Sequence, residues 1–123
     1  KFHEAKAAGD RDVHLWGTGS ALREFLHVDD LARAVVHVIG RQMKEHLYNV
    51  GFGVDLSIES LAQKIQVLTG HNGVIKWDTS KPDGTPKKLM DSSKMIDEGW
   101  LPHIDLDSGL KTTYNDYIKN LQG

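Results

Sequence analysis

The stretch Asp78–Asp91, DTSKPDGTPKKLMD, gathers three carboxylates and three lysines within fourteen residues. Asp78, Asp83 and Asp91 accept hydrogen bonds, while Lys81, Lys87 and Lys88 donate them and carry mobile positive charge. Pro82 and Pro86 stiffen the chain on either side of Gly84, whose missing Cβ opens backbone angles that other residues avoid. A loop restrained in this way loses less entropy when it orders around a ligand. The chemistry it offers is the holding of a small anion.

Residues for making and breaking bonds are harder to find. The chain has no G-x-G-x-x-G or P-loop pattern, no H-E-x-x-H, and no serine in a nucleophile elbow. The run Gly17-Thr18-Gly19-Ser20 is too short for a phosphate-cradling loop, and it follows one expected strand and precedes another. His3, His14, His37, His46, His71 and His103 are scattered and read as ordinary surface or packed side chains. No metal site is expected. There are no cysteines, which excludes disulfides, thiolate metal ligation and a thiol nucleophile within the chain.

The elements that must position these groups fit one domain of 123 residues. Apolar residues make up 39%, and no apolar run approaches the roughly 20 residues of a membrane span. The net charge of −2 argues against a general nucleic-acid binder, which would carry a basic surplus. Residues 1–8 read as a helix, DVHLW (12–16) as a half-buried strand and LREFLH (22–27) as a second extended segment. VDDLARAVVHVIG (28–40) reads as a helix with Asp29 and Asp30 at its positive end. HLYNVG (46–51) has the composition of a strand. A helix capped by Ser57 carries Ile58, Leu61, Ala62, Ile65 and Leu68 on one face and stops at Gly70. VIKW (74–77) is a strand, Asp91 or Ser92 opens a short helix ending at Gly99, and 105–121 is a final helix. About four helices and three or four short strands give α/β, or α+β for the piece alone. That is too few strands for a complete doubly wound sheet. The start of the chain inside an apparent helix, without an initiator methionine, suggests a segment of a longer protein.

The word REFLHVDDLARAVVHVI (23–39) resembles the R-x-F-x-H/Y-V-x-D-x-A segment of the extended short-chain dehydrogenases that act on nucleotide sugars. LWGTGSALREFLHVDDLA, YNVGFGVDLSIESLAQKI and KWDTSKPDGTPKKLMDSSKMIDEGW sharpen the match to the GDP-L-fucose-forming branch of that family, over essentially the whole chain. The resemblance implies that residues 1–123 form the C-terminal substrate-binding lobe of an NADPH-dependent epimerase–reductase. It places the NADP(H)-binding Rossmann domain, with the catalytic Ser and Tyr-x-x-x-Lys, upstream of this chain. The family's catalytic residues have no counterparts here, so the lobe alone is expected to be inert. The helix VDDLARAVVHVI is expected to pack on the upstream sheet. The family further implies a cytoplasmic enzyme, homodimeric at full length, with a GDP-sugar as substrate and neither nucleic acid nor membrane as partner. Other readings are a relative acting on a different nucleotide sugar, a non-catalytic nucleotide-binding member of the superfamily, or an unrelated anion-binding module.

The resemblance places five residues at the substrate. Lys1 aligns with a basic residue near the phosphates, against a simple solvated terminus. Trp16 offers a ring to a sugar or base face, against a place in the core. Arg23 presents paired donors that suit a diphosphate, against an ion pair with Asp29 or Asp30. Asp83 is suited to ribose, sugar or guanine donors and Lys88 to phosphate. Spacing alone does not choose among Lys81, Lys87 and Lys88. His27, Asp29 and Asp30 are expected to fix the junction between strand and helix. Trp77 and Trp100 read as core.

Overall fold

The computed structural model describes residues 1–121. The chain opens with α1 (Phe2–Ala7), turns through Gly9 and Asp10, both at positive φ, and enters β1 (Val13–Trp16). The Gly17–Ser20 turn leads to β2 (Leu22–Glu24) and then α2 (Val28–Val38). After a long irregular segment come β3 (Asp55–Ser57) and α3 (Ile58–Thr69). Ser57 caps α3 by accepting from the Ser60 amide at 3.0 Å, and Gly70 ends it in the left-handed conformation. β4 (Ile75–Asp78), β5 (Lys87–Lys88), α4 (Ser93–Asp97) and α5 (Leu106–Leu121) follow.

Two small sheets result. β1 pairs in parallel with β4, Val13 opposite Ile75 through Trp16 opposite Asp78. β2 lies between β3, antiparallel, and β5, parallel. One core forms where Phe2, Val13 and Ala62 bring α1, β1 and α3 together, with Ile65, Ile75 and Trp77 packed on it. A second gathers Ala34, Met95 and Trp100, with Leu26, Val38, Tyr48 and Val50 around it.

The apolar residues of α2 are only partly covered: Val38 packs on the second core, while Val28, Leu31, Val35 and Val36, with Ile39 just past the helix, are exposed, Val36 and Ile39 at 70%. Residues 46–51 differ from expectation. They form no ladder among the described residues, because β composition makes a strand only where a neighbour supplies hydrogen bonds. Two strands went unanticipated, β3 and β5, each of three residues or fewer. At α4 the side chain that meets the helix start is Asp91, accepting from the Ser93 amide at 2.9 Å, whereas Ser92 makes no side-chain cap.

Asp30 organises the second half. It is fully buried, and its Oδ2 accepts from the amides of His103 (3.0 Å) and Ile104 (2.9 Å). Arg33 Nη2 lies 2.6 Å from Oδ1, off the hydrogen-bond line, so the guanidinium balances charge without saturating that oxygen. His27 caps α2 through Nδ1, which accepts from the Asp29 amide at 3.2 Å. Of the three residues expected at the junction, His27 caps the helix there with the Asp29 amide as donor, whereas Asp30 ties the helix to His103 and Ile104 far along the chain.

Candidate functional site

The proline-bracketed loop runs along the Gly17–Glu24 segment and is fastened to it step by step. The Gly17 amide donates to the Asp78 carbonyl (2.9 Å), and the Leu22 amide donates to the Pro86 carbonyl (2.8 Å). Between these points Asp83 is gripped by Thr18. Its Oδ1 accepts from the Thr18 amide at 2.6 Å and its Oδ2 from the Thr18 hydroxyl at 2.7 Å. The hydroxyl first, then the amide, hold the Asp83 carboxyl below its ordinary value of 3.8. Gly17 is required here: a Cβ on it would overlap Asp83 Oδ1, and its φ of +80° suits only glycine. Both Asp83 oxygens therefore have partners within the chain, and the residue acts as a latch between loop and turn.

Past Pro86 the loop becomes β5. Its register places Lys88 directly beside Arg23 and Lys87 beside Leu22. Side chains alternate faces along a strand, and paired residues share a face. Arg23 and Lys88 therefore lie together on one face, about 4.8 Å apart at the backbone by ordinary strand spacing. Lys87 and Glu24 share the other face with Asp55, which stands opposite Glu24 on β3. There Lys87 Nζ reaches Asp55 Oδ2 at 3.2 Å. Lys81 is also engaged, 6.0 Å from the centre of the Trp16 ring, at the limit of a cation–π contact. The three lysines that spacing cannot rank are thus separated by their partners, and among the described residues Lys88 has no ion pair.

Arg23 has none either, since Asp30 is matched by Arg33 and Asp29 faces His27. Its Nη1 donates to the Leu22 carbonyl at 2.6 Å, and its Nη2 would stand 3.7 Å from a Cβ on Gly84. The guanidinium is half-buried and points to the loop tip. Two cations side by side repel, a local cost that an anion between them removes. Trp16 ends β1 with 73% of its surface exposed, so it is not core. Trp100 is buried and Trp77 packs on the first core, as expected. Lys1 joins this assembly indirectly, donating from Nζ to the His14 carbonyl on β1 at 3.1 Å. Trp16, Asp83, Arg23 and Lys88 are thus linked through one loop, while Lys1 is tied to the strand below Trp16.

Glu24 was not singled out from the sequence, yet it holds the far end of the loop. Its carboxylate accepts from the Met90 amide (2.8 Å) and the Gly53 amide (3.1 Å). No spacing rule signals these bonds, because Glu24 and its partners are far apart in the chain. Lys88 is exposed at this surface and Arg23 half-buried. A separate apolar cavity of about 160 Å³ lies between Phe25–His27, α3 and α5, away from the cations.

Residues 1–51 match the NAD dependent epimerase/dehydratase family. A protein named GDP-L-fucose synthase 1 from Arabidopsis thaliana is 50% identical over 98% of this chain. The chain spans 38% of that relative's length. A crystal structure of a GDP-L-fucose synthetase from Naegleria fowleri covers 99% of this chain and 38% of its own, with a TM-score of 0.90 at 26% identity. The same protein bound to NADP gives 0.88. UDP-glucose 4-epimerase from Thermotoga maritima shares the fold at a TM-score of 0.79 and 28% identity, over 98% of this chain and 38% of its own. Likeness of fold therefore does not choose the base of the nucleotide. Over residues 1–51 the chain is similar to the NAD dependent epimerase/dehydratase family, and the relatives it resembles along 98% of its length include proteins named GDP-L-fucose synthase.

Proposed function

We propose that residues 1–123 are the substrate-binding portion of an NADPH-dependent enzyme that converts GDP-4-keto-6-deoxy-D-mannose to GDP-L-fucose by epimerisation at C3 and C5 and reduction at C4. The observation that carries this reading is the side-by-side placement of Arg23 on β2 and Lys88 on β5, neither engaged by a carboxylate among the described residues, with the loop before Lys88 fastened in place. Their combined charge matches that of a diphosphate. Arg23 supplies directional paired donors and Lys88 a mobile point charge. Trp16 offers an exposed ring for the sugar or base, and Asp83 holds the loop tip where those groups meet. Lys1, next to β1, is assigned to the periphery of the phosphates.

NADP(H) supplies the hydride for the reduction, and the residues described here do not fit it. The Gly17–Ser20 turn joins two strands rather than a strand and a helix, and a Cβ on Gly19 would lie 2.6 Å from the Trp77 ring, so the turn is filled. We therefore place cofactor binding and the catalytic residues in a Rossmann domain outside this chain. The uncovered face of α2 and the unpaired 46–51 segment, with Leu47 at 78% exposure, suit contact with such a sheet. The domain reading, a cytoplasmic site and a homodimeric full-length enzyme stand as parts of this proposal. No helix among the described residues is long and apolar enough to cross a membrane.

The test is turnover by the full-length protein, followed as GDP-4-keto-6-deoxy-D-mannose-dependent NADPH consumption with GDP-L-fucose identified as product. Consumption with that product supports the reading. Binding of the substrate without any turnover would instead point to a non-catalytic member of the family.

A further inference from the structure

We propose that Glu24 is a positioning residue for the anion clasp, pinning the loop that carries Lys88 to the strand that carries Arg23 and so setting the spacing of the two cations. The inference rests on the reading of this surface as a GDP clasp.

β5 is two residues long and cannot hold its own register. It is bracketed instead. On one side the Leu22 amide donates to the Pro86 carbonyl at 2.8 Å. On the other, Glu24 Oε1 accepts from the Met90 amide at 2.8 Å, two residues past Lys88. The second oxygen, Oε2, accepts from the Gly53 amide at 3.1 Å, which anchors the carboxylate against the turn before β3. Gly51 packs so closely that a Cβ on it would lie 2.5 Å from Oε2. Glu24 shares its face with Asp55 and Lys87, whereas Arg23 and Lys88 take the opposite face. It thus follows Arg23 directly in the chain without neutralising either cation.

Both oxygens meet backbone donors, so a carboxylate fits where an amide does not. Glu24→Gln keeps the shape but sets an NH₂ against one of the two amides. It also removes a negative charge near two cations. Long-range electrostatics alone would then tighten binding of an anion, whereas loss of positioning weakens it. The sign separates the two roles.

The experiment titrates the full-length protein with GDP for the parent, Glu24→Gln, Lys88→Ala, the double variant and Arg23→Ala. Amide hydrogen exchange at Met90 is followed without ligand. The expected result is GDP binding about fivefold weaker in Glu24→Gln, less than the roughly tenfold or more of one lost hydrogen bond to a charged group, because the variant shifts Lys88 without removing it. In the Lys88→Ala background the same change should matter by less than about twofold, because a residue acting through Lys88 has nothing left to position. Exchange at Met90 should quicken about tenfold, as expected for a lost charge-assisted bond. Tighter or unchanged GDP binding, full additivity with Lys88→Ala, or unaltered exchange at Met90 each overturns the inference. If Arg23→Ala and Lys88→Ala weaken GDP binding and only the Glu24 results fail, the clasp stands without it. If neither cation matters, the clasp reading falls and this inference with it.

Discussion

Asp30→Ala should cost the fold more than any change on the clasp. The side chain is fully buried, and one oxygen receives two backbone amides, those of His103 and Ile104. Truncation leaves both amides without an acceptor in a site too closed for water to enter freely. Each orphaned donor costs about 1–3 kcal/mol, so the pair costs about 2–6. Arg33 adds little, because its side chain is 42% exposed and can turn to solvent. Asp30→Asn is the control. Its amide oxygen can take over both backbone donors while the attraction to Arg33 is lost, which limits the loss to about 1–2 kcal/mol. Urea unfolding of the full-length protein reads both values. A domain is stable by only about 5–15 kcal/mol, so the alanine variant should sit near the edge of folding. The reasoning is refuted if alanine costs under about 0.5 kcal/mol. It is also refuted if asparagine costs as much as alanine, since charge rather than acceptor geometry would then dominate.

Three further expectations concern the clasp and its support. The Asp83 latch depends on an ionised carboxylate whose folded pKa lies below 3.8. Its contribution is therefore present above that value and is lost as pH falls through the lower folded one; the Thr18 amide resonance should stay put to pH 5 and move only in stronger acid. Gly19→Ala combines a left-handed backbone at φ +80° with a Cβ 2.6 Å from Trp77. It should destabilise the protein by about 2–4 kcal/mol in a denaturant titration, and a neutral result would mean the turn is looser than it looks. Replacing Val36 and Ile39 by aspartate should reduce self-association of the isolated chain in sedimentation, yet weaken the full-length protein. Unchanged stability at full length would show that nothing covers this face.

The sequence announces the parts of this fold that are built locally. α2, α3 and α5 declare themselves through apolar residues at helical spacing, and Ser57 and Gly70 mark the ends of α3 where the chain places them. The loop was legible from Pro82, Gly84 and Pro86, whose backbone restrictions hold in any context. β3 and β5 were not, because two or three residues carry no readable alternation and exist only through β2. The 46–51 segment shows the reverse: strand composition without a strand partner. In the site, the charged types pointed to an anion, but their division of labour needed register. Lys87 turns to Asp55 and Lys88 to Arg23 because neighbouring residues of a strand face opposite ways. The latching roles of Asp83 and Glu24 depend on partners more than sixty residues away in the chain, Thr18 and Met90.

The central claim is that Arg23 and Lys88 together hold the diphosphate of a guanine nucleotide. Its most direct test is calorimetric titration of the full-length protein with GDP, UDP and dTDP, beside Arg23→Ala and Lys88→Ala. Preference for GDP, weakened about tenfold or more in each variant, is the result expected for loss of one charge-assisted contact. Equal binding of the three nucleotides, or variants that bind GDP as the parent does, would contradict it.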